Sequence, residues 1–187
     1  MDFHITQLLH ILFESIFIGF AIIVPIISLI KTSSLKTLQL KELYILQGVQ
    51  AVRIAGIMNF LLVVPDAYSV YVEQHQVGVT YPVSFQLFTF YPAVAYLILS
   101  QFLWIKKLYI KKSALIMLCI IMLILTSDWL LTILITSTTG HTEYIPSTWR
   151  MHPGATVARL GLNIVISFFI TFMLMVVSGK MKKLAEK

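Results

Sequence analysis

Residues 8–30 read LLHILFESIFIGFAIIVPIISLI, an apolar run that contains only two ionisable side chains, His10 and Glu14. Roughly 20 apolar residues are enough for a helix to cross the hydrocarbon core of a bilayer. The run is too long for the apolar core of a secretory signal, no lysine or arginine precedes it, and it lacks a small-residue cleavage site. The segment therefore predicts a retained membrane-spanning helix.

The composition of the whole chain agrees with a membrane protein. Its 187 residues are 58% hydrophobic and 12% charged, with a mean hydropathy of +0.89, whereas soluble domains carry roughly a quarter charged residues. Four more segments have the length and apolar character of a span. The five predicted spans are 8–30, 49–72, 82–105, 113–137 and 155–178. The predicted fold is all-α: a single integral membrane domain, built as a bundle of five transmembrane helices.

The positions of the lysines predict the orientation. All eleven lysines lie in the linker at 31–48, in the basic turn at 106–112, or after the fifth span at 180–187. The loops on the other side, at 73–81 and 138–154, contain a single lysine or arginine residue, Arg150. Cytoplasmic loops are enriched in lysine and arginine, so we expect the N-terminus outside and the C-terminus in the cytoplasm, with the cytoplasmic membrane of a prokaryote as the location. The basic runs are expected to contact anionic lipid but not nucleic acid.

Sequence motifs exclude several enzyme classes. The single cysteine, Cys119, excludes a disulfide within the chain and the CxxCH attachment of haem c. The chain has no glycine-rich phosphate loop, nucleophile elbow or HExxH motif. The common motifs of soluble enzymes therefore give no indication of function.

Four of the predicted spans bring polar side chains to one layer just beneath the outer surface, as judged from a rise of about 1.5 Å per residue. These residues are His10, Glu14, Asp66, Asp128, Arg159 and Asn163. Ionisable groups at membrane depth cost at least ~2.5 kcal/mol each and usually face a bundle interior. We therefore predict a functional polar layer, in which His10 and Glu14 share one helix face.

Two interpretations of this layer remain open. In the first, Glu14, Asp66 and Asp128 transfer protons, while His10, Arg159 and Asn163 bind a cofactor. In the second, Glu14 pairs with Arg159 as a structural link between the first and fifth spans, and the two aspartates face water at the outer boundary.

Several stretches resemble the large subunit of cytochrome bd-type quinol oxidases. Residues 10–26, HILFESIFIGFAIIVPI, resemble its first helix, which has a histidine at its outer end. Residues 82–94, PVSFQLFTFYPAV, are similar to the proline-led start of its third helix, and residues 151–165, MHPGATVARLGLNIV, to the start of its fifth. That family also begins outside and crosses the membrane five times before its quinol-binding loop.

This resemblance implies a respiratory electron-transport function. His10 would be an axial ligand to the iron of a haem b near the outer face, and a quinol would be the electron donor. The chain departs from the family where Gln86 and Val94 replace acids of the third helix and where the fifth helix offers only Arg159 and Asn163 in place of a histidine ligand. The later helices are absent. We therefore expect a subunit rather than a complete oxidase, with at most one haem, whose second ligand is Glu14, an acid on another helix, or a group from a partner chain.

Three functions are compatible with these observations. The first is a subunit of a quinol-linked membrane oxidoreductase with a haem b or quinol site. The second is a non-catalytic accessory or scaffold subunit of a membrane complex. The third is a small transporter, which is disfavoured because no span shows the paired, glycine-interrupted repeats typical of transporters. The expected partners are the lipid bilayer and other membrane subunits.

Overall fold

The computed structural model describes residues 5–76, 83–125 and 153–179. The description omits the side chains of residues 6–7, 66–67, 69–71, 73–76, 83–92, 125 and 153–156. All regular structure in the described ranges is helical, which confirms the all-α part of the predicted fold. In chain order the helices are α1 (Ile5–Leu29), α2 (Leu35–Gln76), α3 (Val83–Phe102), α4 (Lys106–Ile110), α5 (Lys112–Leu125) and α6 (Pro153–Val177).

Three of the described helices are long and apolar enough to cross a membrane. The candidate spans are Leu8–Leu29 in α1, Leu35–Pro65 in α2 and Val157–Val177 in α6. The described apolar parts of α3 and α5 are shorter, at Ala93–Phe102 and Lys112–Ile124. The structure therefore supports a helical membrane protein, and the total of five spans stays a prediction.

Helix α2 differs most from the sequence prediction. It begins at Leu35, inside the segment predicted as a linker, and continues for 42 residues to Gln76. Residues 35–47 carry three charged side chains, but they are rich in leucine, lysine and glutamine and contain neither glycine nor proline, so their helix propensity is high. Buried residues recur at Tyr44, Gly48 and Val52, the spacing of one helix face. The prediction of a linker was wrong here because it gave weight only to the charged residues of the segment.

Helix α1 lies at the centre of the structure. It packs against α2, α5 and α6, and residues 15–17 and 19–21 are all buried. These six buried residues within two turns cover most of the helix circumference, because an α-helix has 3.6 residues per turn, and Ile18 on the remaining side is partly buried. The main core cluster joins α1, α2, α3 and α5, and the ring of Phe17 stacks on that of Tyr96 with 4.1 Å between centroids.

Small residues allow two pairs of helices to approach closely. A Cβ added to Gly19 of α1 would lie 2.5 Å from the carbonyl oxygen of Asn163 and would overlap Ser167 of α6. A Cβ added to Gly56 of α2 would lie 2.6 Å from the Cβ of Ser100 in α3. Association of helices in lipid depends on such close contacts, because burial of apolar surface gives no driving force there. Both crossings therefore require glycine, because a side chain at either position would overlap the facing helix.

The C-terminus of α1 is held by a lysine of α2. Lys41 is buried, and its Nζ donates hydrogen bonds to the carbonyl oxygens of Ser28, at 3.0 Å, and Ile30, at 2.9 Å. The last carbonyls of a helix lack partners within the helix and carry partial negative charge. The ammonium group satisfies two such carbonyls.

An arginine of α2 holds the end of α3 in the same way. The guanidinium of Arg53 donates from Nε to the carbonyl oxygen of Leu103 at 3.0 Å, and Nη2 donates to the same oxygen. Its Cζ lies 4.8 Å from the ring centroid of Trp104, within the range of a cation–π interaction. The chain then continues through α4, which lies in the predicted basic turn at 106–112.

The close crossing at Gly19 predicts a site-specific loss of stability. We expect Gly19→Ala to lower the free energy of unfolding by about 1–3 kcal/mol, because the clash involves backbone that cannot move away. The matched control is Gly161→Ala in α6, where an added Cβ meets nothing within 4 Å. The measurement is the thermal unfolding midpoint in detergent. Equal midpoints for the two variants would contradict the close approach of α1 and α6.

Candidate functional site

His10 of α1 is held by α2. Its Nδ1 lies 3.3 Å from the Oδ1 of Asn59, a buried residue. A lone asparagine in an apolar helix needs a hydrogen-bonding partner, since an unpaired amide in hydrocarbon is costly. The pair therefore links the N-terminal part of α1 to the middle of α2. His10 is partly exposed, so the link lies at the edge of the bundle rather than in its core.

Glu14 and Arg159 form an ion pair between α1 and α6. The Nη2 of Arg159 donates to the Oε1 of Glu14. The pair lies about 9 Å inside the start of the candidate span at Leu8, given the rise per residue of a helix. It is not enclosed, because the Arg159 side chain remains 36% exposed and that of Glu14 30%.

A row of polar side chains on α6, the polar stripe, continues from this ion pair toward the C-terminus of the helix. Arg159, Asn163, Ser167 and Thr171 recur every fourth residue, and the last three are buried. Residues with this spacing lie on one helix face. The stripe packs on α1, where the Oγ of Ser167 donates to the carbonyl oxygen of Ile16 at 3.4 Å.

Asn163 contacts Ser15 of α1. The Oγ of Ser15 lies 2.8 Å from the amide oxygen of Asn163 and 2.7 Å from the carbonyl oxygen of Ile11. A hydroxyl has one proton to donate, and the Ile11 carbonyl can only accept it. The chemistry therefore favours the reversed amide, with Nδ2 donating to the Ser15 oxygen. This orientation gives a partner to Nδ2, which otherwise has none among the described residues.

The sequence analysis identified His10 of α1 and Asn163 of α6 as members of a polar layer. It missed the residues that they contact, Asn59 of α2 and Ser15 of α1. Asn59 and Ser15 carry no charge, so neither was included in the predicted layer. The signal was present for Asn59, the only amide in the apolar stretch at 54–65. The Glu14–Arg159 link, one of the two interpretations of the layer, is present as a contact, whereas the catalytic and cofactor-binding roles stay predictions.

Part of the predicted layer lies outside the described residues. Asp128 falls in the range 126–152, and Asp66 lies in α2 without a described side chain. His10 is the only histidine with a described side chain. Within the described ranges, no group of three or more histidine, cysteine or acidic side chains could hold a metal ion.

The described residues do not complete a haem site around His10. Two axial ligands must lie on opposite faces of the porphyrin, but His10 and Glu14 are one turn apart on the same side of α1. Glu14 is in addition paired with Arg159. A second ligand would therefore have to come from the remainder of the chain or from a partner.

The ion pair predicts that replacing either of its two partners lowers the free energy of unfolding. We expect Glu14→Gln or Arg159→Gln to cost about 1–3 kcal/mol, less than for a fully enclosed pair because water or lipid headgroups reach a third of each side chain. The exchanged double variant, Glu14→Arg with Arg159→Glu, should recover most of this loss. Unfolding midpoints in detergent measure both effects.

The control for this experiment is Glu42→Gln, which removes a carboxylate from an exposed position of α2. Its midpoint should equal that of the unmodified protein. If the exchanged double variant is as unstable as the sum of the single variants, the attraction between Glu14 and Arg159 does not stabilise the fold.

Comparison of the chain with models of known protein families, with curated proteins and with solved structures finds no match. The likeness to the cytochrome bd large subunit thus depends on the quoted sequence stretches alone. The function must be inferred from the geometry of the polar layer.

Proposed function

We propose that this protein is an integral membrane subunit with five spans, the N-terminus outside and the C-terminus in the cytoplasm, that acts as an accessory subunit of a larger membrane complex. Three interhelical contacts support a structural role for the polar layer: His10 with Asn59, Glu14 with Arg159, and Asn163 with Ser15. Each joins two helices at the same outer level. The polar groups are thereby used for helix association.

The single observation that carries this proposal is the partial exposure of the ion pair. Glu14 and Arg159 keep 30% and 36% of their side-chain surface uncovered at membrane depth. Charged groups in hydrocarbon are expensive unless protein or water covers them. A neighbouring subunit with polar groups at this level would supply the missing cover. The accessory role therefore accounts for both the pairing and the exposure.

A second candidate is a subunit of a quinol-linked respiratory oxidoreductase. The favouring observation is that His10 and Glu14, one turn apart, are both partly exposed on the outer half of α1. A quinol diffuses within the bilayer and could reach such a surface, and its oxidation releases protons that a histidine or carboxylate can accept. Asp66 and Asp128 would then extend the proton path outward, and haem b on His10 would need a ligand from a partner.

The proposed orientation predicts opposite accessibility of two introduced cysteines. In a Cys119→Ala background, Thr139→Cys should react with a membrane-impermeant maleimide on intact cells, since the loop at 138–154 is assigned to the outside. Ser34→Cys, between α1 and α2, should react only after the membrane is opened. The reverse pattern would invert the topology.

Purification from native membranes distinguishes the two candidate functions. An accessory subunit should copurify with at least one other chain, remain colourless, and lose that chain in Glu14→Gln but not in Glu42→Gln. An oxidoreductase subunit with haem should show a b-type Soret band, reduced by dithionite and lost in His10→Ala. A pyridine haemochrome assay identifies the haem, and analysis of extracted lipids detects a retained quinol.

A lone chain without partner, haem or quinol would contradict both functions. A haem-replete His10→Ala protein would exclude His10 as the ligand while leaving the complex itself supported.

A further inference from the structure

An apolar groove of about 280 Å³ lies where α1 ends, α2 begins and α6 ends. One wall is a face of α2 that includes Thr37, Leu40 and Tyr44, and the opposite wall is a face of α6 formed by Phe168, Phe172 and Met175. Both sets recur at intervals of three or four residues, as residues on one helix face do. The groove is thus a feature of helix packing and not of a single loop.

The groove extends along the depth of one membrane leaflet. Phe168 lies nine residues before Val177, the end of α6, which corresponds to about 14 Å along the helix. Half of a typical hydrocarbon core is about 15 Å. The groove therefore has the depth and apolar lining that suit the acyl chain of a lipid.

Two exposed lysines are sequence neighbours of threonines that line the groove. Lys31 and Lys36 are exposed and precede the groove residues Thr32 and Thr37 in sequence. The Oγ1 of Thr32 is buried and has no hydrogen-bond partner among the described residues. Between positions 27 and 44 the only acidic residue is Glu42, which does not line the groove.

We propose that this groove binds an anionic phospholipid of the cytoplasmic leaflet, with one acyl chain between α2 and α6 and the phosphate held by Lys31 and Lys36. Basic pockets between helices on the cytoplasmic side suit anionic headgroups. Lys41 is already bound to two backbone carbonyls, so the exposed lysines provide the charge for the phosphate. The proposal depends on the proposed orientation but not on a redox or accessory function.

The test titrates the detergent-purified full chain with phosphatidylglycerol or phosphatidylcholine and counts bound lipids by native mass spectrometry. We expect phosphatidylglycerol to bind roughly tenfold more tightly or better, as two lysines near one phosphate would provide. Leu40→Trp, which fills the groove, should abolish this binding. The matched control is Leu38→Trp, a similarly exposed leucine of α2 outside the groove, which should bind as the unmodified protein does. Lys31→Gln with Lys36→Gln should remove the preference for phosphatidylglycerol.

Three results would overturn the proposal: equal affinity for the two lipids, equal lipid binding by Leu40→Trp and Leu38→Trp, or a quinol in place of phospholipid in the groove of the purified protein. The lipid-binding proposal and the proposed function can fail independently. The proposed function is tested by copurified chains and by the absorption spectrum, whereas lipid binding is tested by native mass spectrometry. Unfolding midpoints of the two tryptophan variants confirm that both are folded before their lipid contents are compared.

Discussion

The structure depends on the close crossing of α1 and α6 at Gly19 and Ser167. Without a side chain at Gly19, the backbones approach until the carbonyl of Asn163 nearly touches α1. This distance brings the polar stripe of α6 within reach of α1, so that Ser167 bonds to Ile16 and Arg159 reaches Glu14. In lipid, such contacts replace the hydrophobic effect as the source of association.

The same crossing explains why polar residues occupy an otherwise apolar helix. Asn163, Ser167 and Thr171 are buried on α6, whereas Phe169, Met173 and Val177 of the same helix are exposed. The usual pattern of a soluble protein is thus reversed, because the exterior of a membrane helix meets lipid and its polar side must face another helix. The ion pair at the outer end of the stripe is the least enclosed member, and it marks where the surface of the chain changes from lipid-facing to polar.

The sequence was sufficient to predict an all-helical chain with apolar helices long enough to cross a membrane, because length and hydropathy depend on composition and spacing. It raised the link between Glu14 and Arg159 only as one of two interpretations, from the cost of buried charge. It was not sufficient for the start of α2, where Lys36, Lys41 and Glu42 suggested a solvent-exposed linker. There, helix propensity and the burial of Tyr44 against α6 outweigh charge, and the lysine is accommodated by the carbonyls of α1. Nor could the pairing of His10 with Asn59 be predicted, because it depends on the relative positions of two helices that are far apart in sequence.

The two cationic caps on α2 have a consequence for how the protein lies in a bilayer. Lys41 holds the end of α1 and Arg53 the end of α3, and these residues are 12 positions apart, or about 18 Å along the helix axis. The C-terminal ends of α1 and α3 are therefore staggered along α2. If both ends faced the same boundary of a membrane, they could both approach it only with α2 inclined to the bilayer normal. The 42 residues of α2, about 63 Å long, greatly exceed the hydrocarbon thickness. A helix of this length would match a bilayer by a marked tilt combined with extension beyond the headgroups.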